Sequence, residues 1–342
     1  MVRYIVRRLI AMPLLLLGVV TIAFLLSHLT QADPLTSIIG ERQMNNEAVV
    51  EAARRRWGLD RSLPEQYLIY VGNLLTGDLG VSFRTKQPVA YDLRLRLPAT
   101  LELVIAAMLI GTVAGVTLGV FAARYRDRPS DHIARLFALV GASTPVFWSG
   151  LILLYIFSVQ LGWLPGPGRI DTRGAAPPFV TGMYTLDSLI AGDFATFRSA
   201  LSHLVLPACV LGWTMIGIVS RMVRASMLDV LGQEYVLTAR AKGASETRVL
   251  LNHALRNALI PALTIIGFSF AYLITGAILT ETIFSWPGVG SYAVAAARAL
   301  DHPAIIGVTI VGGAAFLLAN LLTDIAYAVV DPRVRVGGGR AS

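Results

Sequence analysis

Charge is scarce in this chain. Only 15% of its 342 residues are Asp, Glu, Lys or Arg, against about 25% in a typical soluble domain. With 55% hydrophobic residues and a mean hydropathy of +0.65, that deficit excludes a disordered chain and argues against a soluble enzyme. Cysteine is reduced to Cys209, which excludes an internal disulfide framework and any multi-cysteine metal cage. Lysine occurs only at Lys86 and Lys242. Neither closes the G-x-x-x-x-G-K-[ST] pattern of a phosphate-cradling loop, because Gly243 follows Lys242 instead of preceding it. Gly288 and Gly290 make a lone G-x-G, read as a turn before a short helix beginning near Ser291. The five histidines (28, 132, 203, 253, 302) are scattered. There is no H-E-x-x-H and no G-x-S-x-G elbow. No catalytic, cofactor-binding or metal site is therefore expected in this chain.

What the chain has in abundance is long apolar runs. A helix crossing the hydrocarbon core needs about 20 mostly apolar residues. Six segments qualify: Leu9 to Leu29, Leu101 to Ala122, Ile133 to Leu161, Leu204 to Met222, Leu259 to Thr280 and Ile305 to Val330. Strands of a membrane barrel would be shorter and would alternate polar with apolar residues. The first run is too long for a signal-peptide core and lacks a clean small-residue cleavage site, so it reads as a retained helix. The fold class expected is an all-α integral membrane protein with six transmembrane helices.

The formal net charge of +8 suggests orientation in a membrane more than nucleic acid, since most arginines flank apolar runs. An inside N-terminus places Arg3, Arg7, Arg8, Arg124, Arg126, Arg128, Arg224, Arg240, Lys242, Arg248, Arg256, Arg333, Arg335 and Arg340 on the cytoplasmic face. The outer connection 281–304 holds only Arg298, and the outer segment 30–100, with nine basic residues, is long enough to escape the rule. Both termini are then cytoplasmic. Within the outer segment, residues 47–57 and 65–75 read as short amphipathic helices separated by Gly58 and Pro64. Residues 162–182, rich in Gly and Pro, read as loop.

Ala107, Gly111, Gly115, Gly119 and Ala123 recur every four residues and so share one helical face that another helix can approach closely. Internal packing and contact with a second subunit or the substrate path both fit Gly111, Gly115 and Gly119. Pro145 and Pro207 are expected to bend their spans. His28, Glu102 and Arg135 lie near span ends. Asp324 with Asn320 is expected to hydrogen-bond a neighbouring helix or, less simply, to touch substrate. So few intramembrane charges, with no clear repeat, weaken a proton-driven secondary carrier. An intramembrane enzyme lacks a visible nucleophile and base.

The stretch Glu234 to Pro261 (EYVLTARAKGASETRVLLNHALRNALIP) combines a helical piece, small residues around Gly243, and a second helical piece feeding the fifth span. Ala239, Ala241, Gly243, Ala244 and Ser245 form a narrow surface that can enter a groove on another protein. Arg240, Lys242 and Glu246 are placed to fix its register. A basic, solvated loop that only enforces topology accounts for the same composition.

This segment resembles the EAA loop of bacterial ABC-importer permeases, in the variant of the dipeptide/oligopeptide permease family. Glu234, Tyr235, Thr238 to Gly243 and His253 to Pro261 are similar to that variant. So, in order, are Arg7-Arg8-Leu9 with Pro13; Trp57 to Asp60 with Pro64, Gln66 and Tyr67; Thr76 to Ser82; Leu97 to Leu103; Thr144 to Trp148; Leu161 to Pro165; Glu281 to Gly290; and Asp331-Pro332-Arg333. Two departures are local. Gln31-Ala32-Asp33-Pro34 stands for the usual Pro-Gly-Asp-Pro, and Thr238-Ala239-Arg240 stands for the Glu-Ala-Ala triplet.

The resemblance implies a type I importer (MetI-like) permease fold. Residues 1–94 would be an N-terminal helix plus extracytoplasmic segment, 95–331 a five-helix core with the coupling loop at about 234–261, and 332–342 a cytoplasmic tail. The partners implied are a second, homologous permease subunit, two cytoplasmic ATPase subunits that bind ATP and Mg, an extracytoplasmic substrate-binding protein and the lipid bilayer, with no nucleic acid. Residues Thr238 to Glu246 would be the coupling helix. The cargo implied is dipeptides or oligopeptides, with nickel chelates, glutathione or sugars as alternatives within the same family.

Overall fold

The computed structural model describes residues 2–29, 35, 39–40, 43–171 and 174–330. Among them the chain is helical, and its one extended pairing is an isolated bridge between Val81 and Pro88. The expected tail 332–342 and the segments Gln31 to Pro34 and Asp331 to Arg333 lie outside the described residues.

Helix α1 is Val2–Leu29. Helix α2 (Glu47–Trp57) starts where the Asn46 side chain accepts the Val49 N–H and stops at Gly58, φ +65°, a backbone conformation favoured by glycine. Helix α3 (Leu63–Leu75) carries Pro64 in its first turn, where a missing N–H costs nothing. The Glu65 carboxylate there accepts the Ser62 N–H at 3.0 Å. These are the two short helices expected from the sequence. The Tyr67 hydroxyl lies 2.7 Å from Thr21 Oγ1, and Phe24 meets Tyr67 edge-on with ring centroids 5.4 Å apart, so α3 is pinned to α1.

The centre of the molecule is a pair of long helices, α4 (Val89–Arg124) and α8 (Phe194–Leu231). At 1.5 Å per residue they run about 54 and 57 Å, well beyond a hydrocarbon core of about 30 Å. The expected boundary at residues 94 and 95 falls inside α4. Helix α8 is the most enclosed, with 72% of its apolar window buried against 24–33% for the other long helices. Helix α5 (Pro129–Ser143) lies on α8, where Phe137 stacks on Trp213 at 5.4 Å.

Helix α6 (Val146–Leu154) follows and ends in a π-wound turn, Tyr155–Gln160. Beyond the loop at 162–182 come α7 (Tyr184–Ile190) and then α8. Helix α9 (Glu234–Ala241) precedes the single turn α10 (Glu246–Arg248), a π-wound turn Val249–Ala254, and α11 (Leu255–Ile283). Helices α12 (Val289–Arg298) and α13 (His302–Val330) end the described part of the chain, and α1 packs on α13 through Val20, Phe24 and Ile306.

Among the described residues, four helices are long and apolar enough to cross a membrane, or five when the α5–α6 pair is taken as one span; Ile10–Leu26 adds a shorter apolar stretch. The bend expected at Pro145 is present and sharp: the apolar run from Ile133 to Leu161 is split into α5 and α6, which turn by 107° at the break. Pro145 lacks the N–H that would continue α5 and forces its predecessor out of the helical region; Thr144 sits at φ −79°, ψ 129°. Pro207 leaves α8 unbroken. Large apolar side chains such as Leu109, Val113, Ile133, Leu136, Leu151 and Phe268 are exposed on the outside of the bundle, a surface suited to lipid and not to water.

Candidate functional site

The chain direction defines two ends of the bundle. Gly111, Gly115 and Gly119 face Met215, Val219 and Val223, so α4 and α8 run in the same direction. Their C-terminal ends carry α5's start and α9; their N-terminal ends carry α7, α12 and the 81–88 loop.

At the α9 end, Val236 is fully buried while Glu234, Tyr235, Thr238, Arg240, Ala241, Lys242, Gly243, Ser245 and Glu246 are exposed and Ala239 and Ala244 half-buried. Helix α9 closes in a left-handed cap. The Gly243 N–H donates to the Arg240 carbonyl at 2.9 Å and the Ala244 N–H to that of Ala239 at 3.2 Å, with Gly243 at φ +79°. This paired arrangement is the glycine-dependent helix stop. Arg240 grips the Glu246 carboxylate with two nitrogens, at 2.8 and 3.2 Å, closing the turn from outside. The Tyr235 hydroxyl accepts from Asn257 Nδ2 at 2.7 Å and donates to the His253 carbonyl at 3.3 Å. Helix α9 is thereby tied to the start of α11. The result is a projecting, small-residue turn braced from beneath.

Beside it, the fully buried Asp131 accepts from Arg224 at 2.9 and 2.7 Å and sits 3.4 Å from Arg135, locking the start of α5 to α8. A two-nitrogen guanidinium–carboxylate fork of this kind fixes orientation as well as distance.

The stripe Gly111, Gly115 and Gly119 is occupied from within the chain. A methyl group at any of the three would lie 2.7–2.8 Å from a side chain of α8. In return Gly212 of α8 approaches the Ala107 carbonyl, where a Cβ would sit 2.8 Å away.

The opposite end is stitched by buried carboxylates whose partners are remote in sequence. Glu281, fully buried at the end of α11, accepts from Thr100 Oγ1 at 2.6 Å and from the Ser291 N–H at 2.8 Å. The G-x-G turn exists to admit it: a Cβ on Gly288 would collide with the Glu281 carboxyl group, and one on Gly290 would lie 2.6 Å from Ile278 Cα. Trp286 donates from Nε1 to the Ala99 carbonyl at 2.8 Å. Glu102, buried, accepts twice from Thr185 at 2.7 Å and pairs with buried Arg169. The Arg169 guanidinium lies 3.6 Å from the Tyr184 ring centroid and donates to the Gly182 carbonyl at 3.0 Å. Asp92 joins Thr85 at 2.6 Å to the Tyr292 hydroxyl at 3.0 Å, and Asp301 holds Ser82 and the Arg84 N–H.

In the α7 loop, Asp187 accepts from the Thr181 N–H and hydroxyl, both at 2.7 Å, and from the N–H groups of Gly182 and Val180 at 2.9 and 3.3 Å. Burial pushes this carboxyl up, but the hydrogen bonds outweigh it and hold it below the usual carboxylate range. Between the 81–88 loop, α4 and α12 opens a cleft of about 590 Å³ lined by Arg84, Arg96, Arg298 and Glu281 among others.

The sequence brings Glu234 to Glu246 into view as one unit, and the structure gathers them as one. It does not signal the role of Glu102 or Glu281, whose side-chain partners Arg169 and Thr100 lie 67 and 181 residues away, or the convergence of three arginines at the other end. Asn320 Oδ1 is buried with no hydrogen-bond partner among the described residues; the Asp324 side chain lies outside them.

Comparison with known proteins places these features in context. The model of the "binding-protein-dependent transport system inner membrane component" family matches residues 115–336, and a companion model of that family's N-terminal segment matches residues 1–104. The chain is 44% identical over 326 residues to the probable D,D-dipeptide transport system permease protein of Escherichia coli K12, covering 95% of each chain. It is 43% identical over 335 residues to the di/tripeptide transport system permease protein of Pseudomonas aeruginosa, covering 98% of this chain and 99% of that one. To the dipeptide transport system permease protein of Escherichia coli K12 it is 39% identical over 338 residues, with 98% and 99% coverage.

Proposed function

The chain belongs to the family of binding-protein-dependent transport system inner membrane components, and from that membership we propose that it is a permease subunit of an ATP-driven importer for dipeptides and other short peptides. It is a multi-pass protein of the inner membrane. The observation that carries the reading is the braced, small-residue turn of α9 at the end of the α4–α8 pair, in a chain related over nearly its full length to peptide permeases.

The chain crosses the membrane six times with both termini cytoplasmic. Supporting this are the apolar Ile10–Leu26, the bent α5–α6 pair read as one crossing, and the four long apolar helices. The arginine-flanked connections 123–132 and 223–258 meet at one end through Asp131 and Arg224. A second, homologous permease subunit completes the pathway, a substrate-binding protein delivers cargo from outside, and two ATPase subunits on the α9 side bind ATP and Mg. This chain carries no nucleotide site of its own.

Residues Thr238 to Glu246 act as the coupling element that enters a groove on one ATPase. Ala239, Ala241 and Ala244 keep the approach close, while Arg240 and Glu246 hold the turn rigid. The Tyr235 bonds to α11 and the buried Val236 pass displacement of α9 into the bundle. ATP favours the closed pair of ATPases by binding it more tightly, and only that difference in affinity moves the two-state equilibrium. The coupling elements are then drawn together and the helices tilt from inward-facing to outward-facing.

The test is uptake of labelled alanylalanine by vesicles holding the complete assembly and its binding protein. Uptake is expected to require ATP and to fall at least tenfold in Ala241→Trp, with insertion and copurification of the second permease retained. ATP-independent uptake by this subunit alone would overturn the reading.

A further inference from the structure

The cleft at the α12 end holds chemistry that neither the packing nor the coupling turn uses. Arg84, Arg96 and Arg298 line it against one carboxylate, Glu281, whose oxygens are engaged by Thr100 and the Ser291 N–H. Among the described residues, none of the three arginines forms an ion pair. The Arg96 guanidinium lies over the Tyr292 ring, 4.8 Å from its centroid, and its Nε is buried without an acceptor. A buried donor left unpaired is costly, and an incoming acceptor removes that cost.

Three guanidinium groups brought to one cleft from the 81–88 loop, α4 and α12 concentrate positive potential there. Their planar forks match a carboxylate, which accepts two parallel N–H bonds from one arginine. At about 590 Å³ the cleft is within the usual range for small-molecule sites, and Pro287, Val294 and Ala295 supply apolar wall beside the charged one.

We propose that this cleft binds the carboxylate of a short peptide, holding cargo on the outer side of the permease between release from the binding protein and passage through the bundle. The inference rests on the importer reading above.

The experiment is equilibrium binding of radiolabelled alanylalanine and of its C-terminal amide to the complete permease–ATPase assembly in nanodiscs, without binding protein. The acid is expected to bind at least tenfold more tightly than the amide, about the worth of one lost charge-assisted fork. Arg96→Gln with Arg298→Gln is expected to remove that preference, Arg298→Lys to restore part of it, and cosedimentation of the binding protein to stay unchanged. Equal binding of acid and amide by the unaltered assembly overturns the proposal without any variant. So does full acid preference in the double variant. Loss of binding-protein cosedimentation in that variant also overturns it, because the arginines then serve docking. If the unaltered assembly imports alanylalanine yet shows no acid preference, only the cleft's role falls. If it neither binds nor imports the peptide, the importer reading itself fails.

Discussion

At Gly119 a methyl group would lie 2.7 Å from Val223 Cβ and 2.8 Å from the Ser220 carbonyl oxygen. The backbone oxygen cannot swing aside, so α4 and α8 must separate. Gly119→Ala is expected to destabilise the assembly by about 1–3 kcal/mol, the usual cost of overpacking. Gly72→Ala in α3 meets nothing within 4 Å and is expected to gain up to about 1 kcal/mol from helix propensity. Thermal unfolding of the two variants in detergent compares them, and equal shifts would contradict the packing account. Gly243 carries a different constraint. Its surroundings are open, but its φ of +79° makes any side chain there strain the cap of α9. A bulky residue at 243 therefore disturbs the helix as well as the docking surface, whereas Ala241, exposed and helical, tests docking alone.

Among the elements, the loop carrying α7 depends most visibly on one ionised group. Asp187 is held below the usual carboxylate range by Thr181, Gly182 and Val180 despite its burial. A depressed native pKa contributes stability above the unfolded value, about 3.9, and that contribution is lost as pH falls through the native value. Hydrogen exchange in residues 174–193 is expected to accelerate below about pH 4, with Asp187→Asn already open at pH 7. Indifference of the loop to both would refute this.

Helices such as α2, α3 and α9 were legible in the sequence because their stop and start residues are local: Gly58, Pro64 and Gly243 each act within one turn. The long apolar helices were legible from the length of their hydrophobic runs. The 107° break at Thr144–Pro145 was legible only as a proline, since its angle is set by what α6 packs against. The π-wound turns and the buried carboxylates of the α12 end had no local signal. A glutamate such as Glu281, flanked by Thr280 and Thr282, looks like a span boundary until Thr100 and Ser291 are brought to it by the tertiary fold.

For the whole molecule, the orientation proposed makes Asn45 extracytoplasmic and Ser245 cytoplasmic. In a Cys209→Ser background, Asn45→Cys is expected to react with a membrane-impermeant maleimide on intact cells, and Ser245→Cys only after the membrane is opened. The reverse pattern would invert the topology. The parallel run of α4 and α8 bears on how such a body moves. Glycines at four-residue intervals receive Met215, Val219 and Val223 like teeth in a rack, so any slip short of one repeat, about 6 Å, drives a side chain into backbone. The close packing favours the two helices moving together, so that a push delivered at one rim of the bundle is carried towards the far rim, as it would be along a spoke.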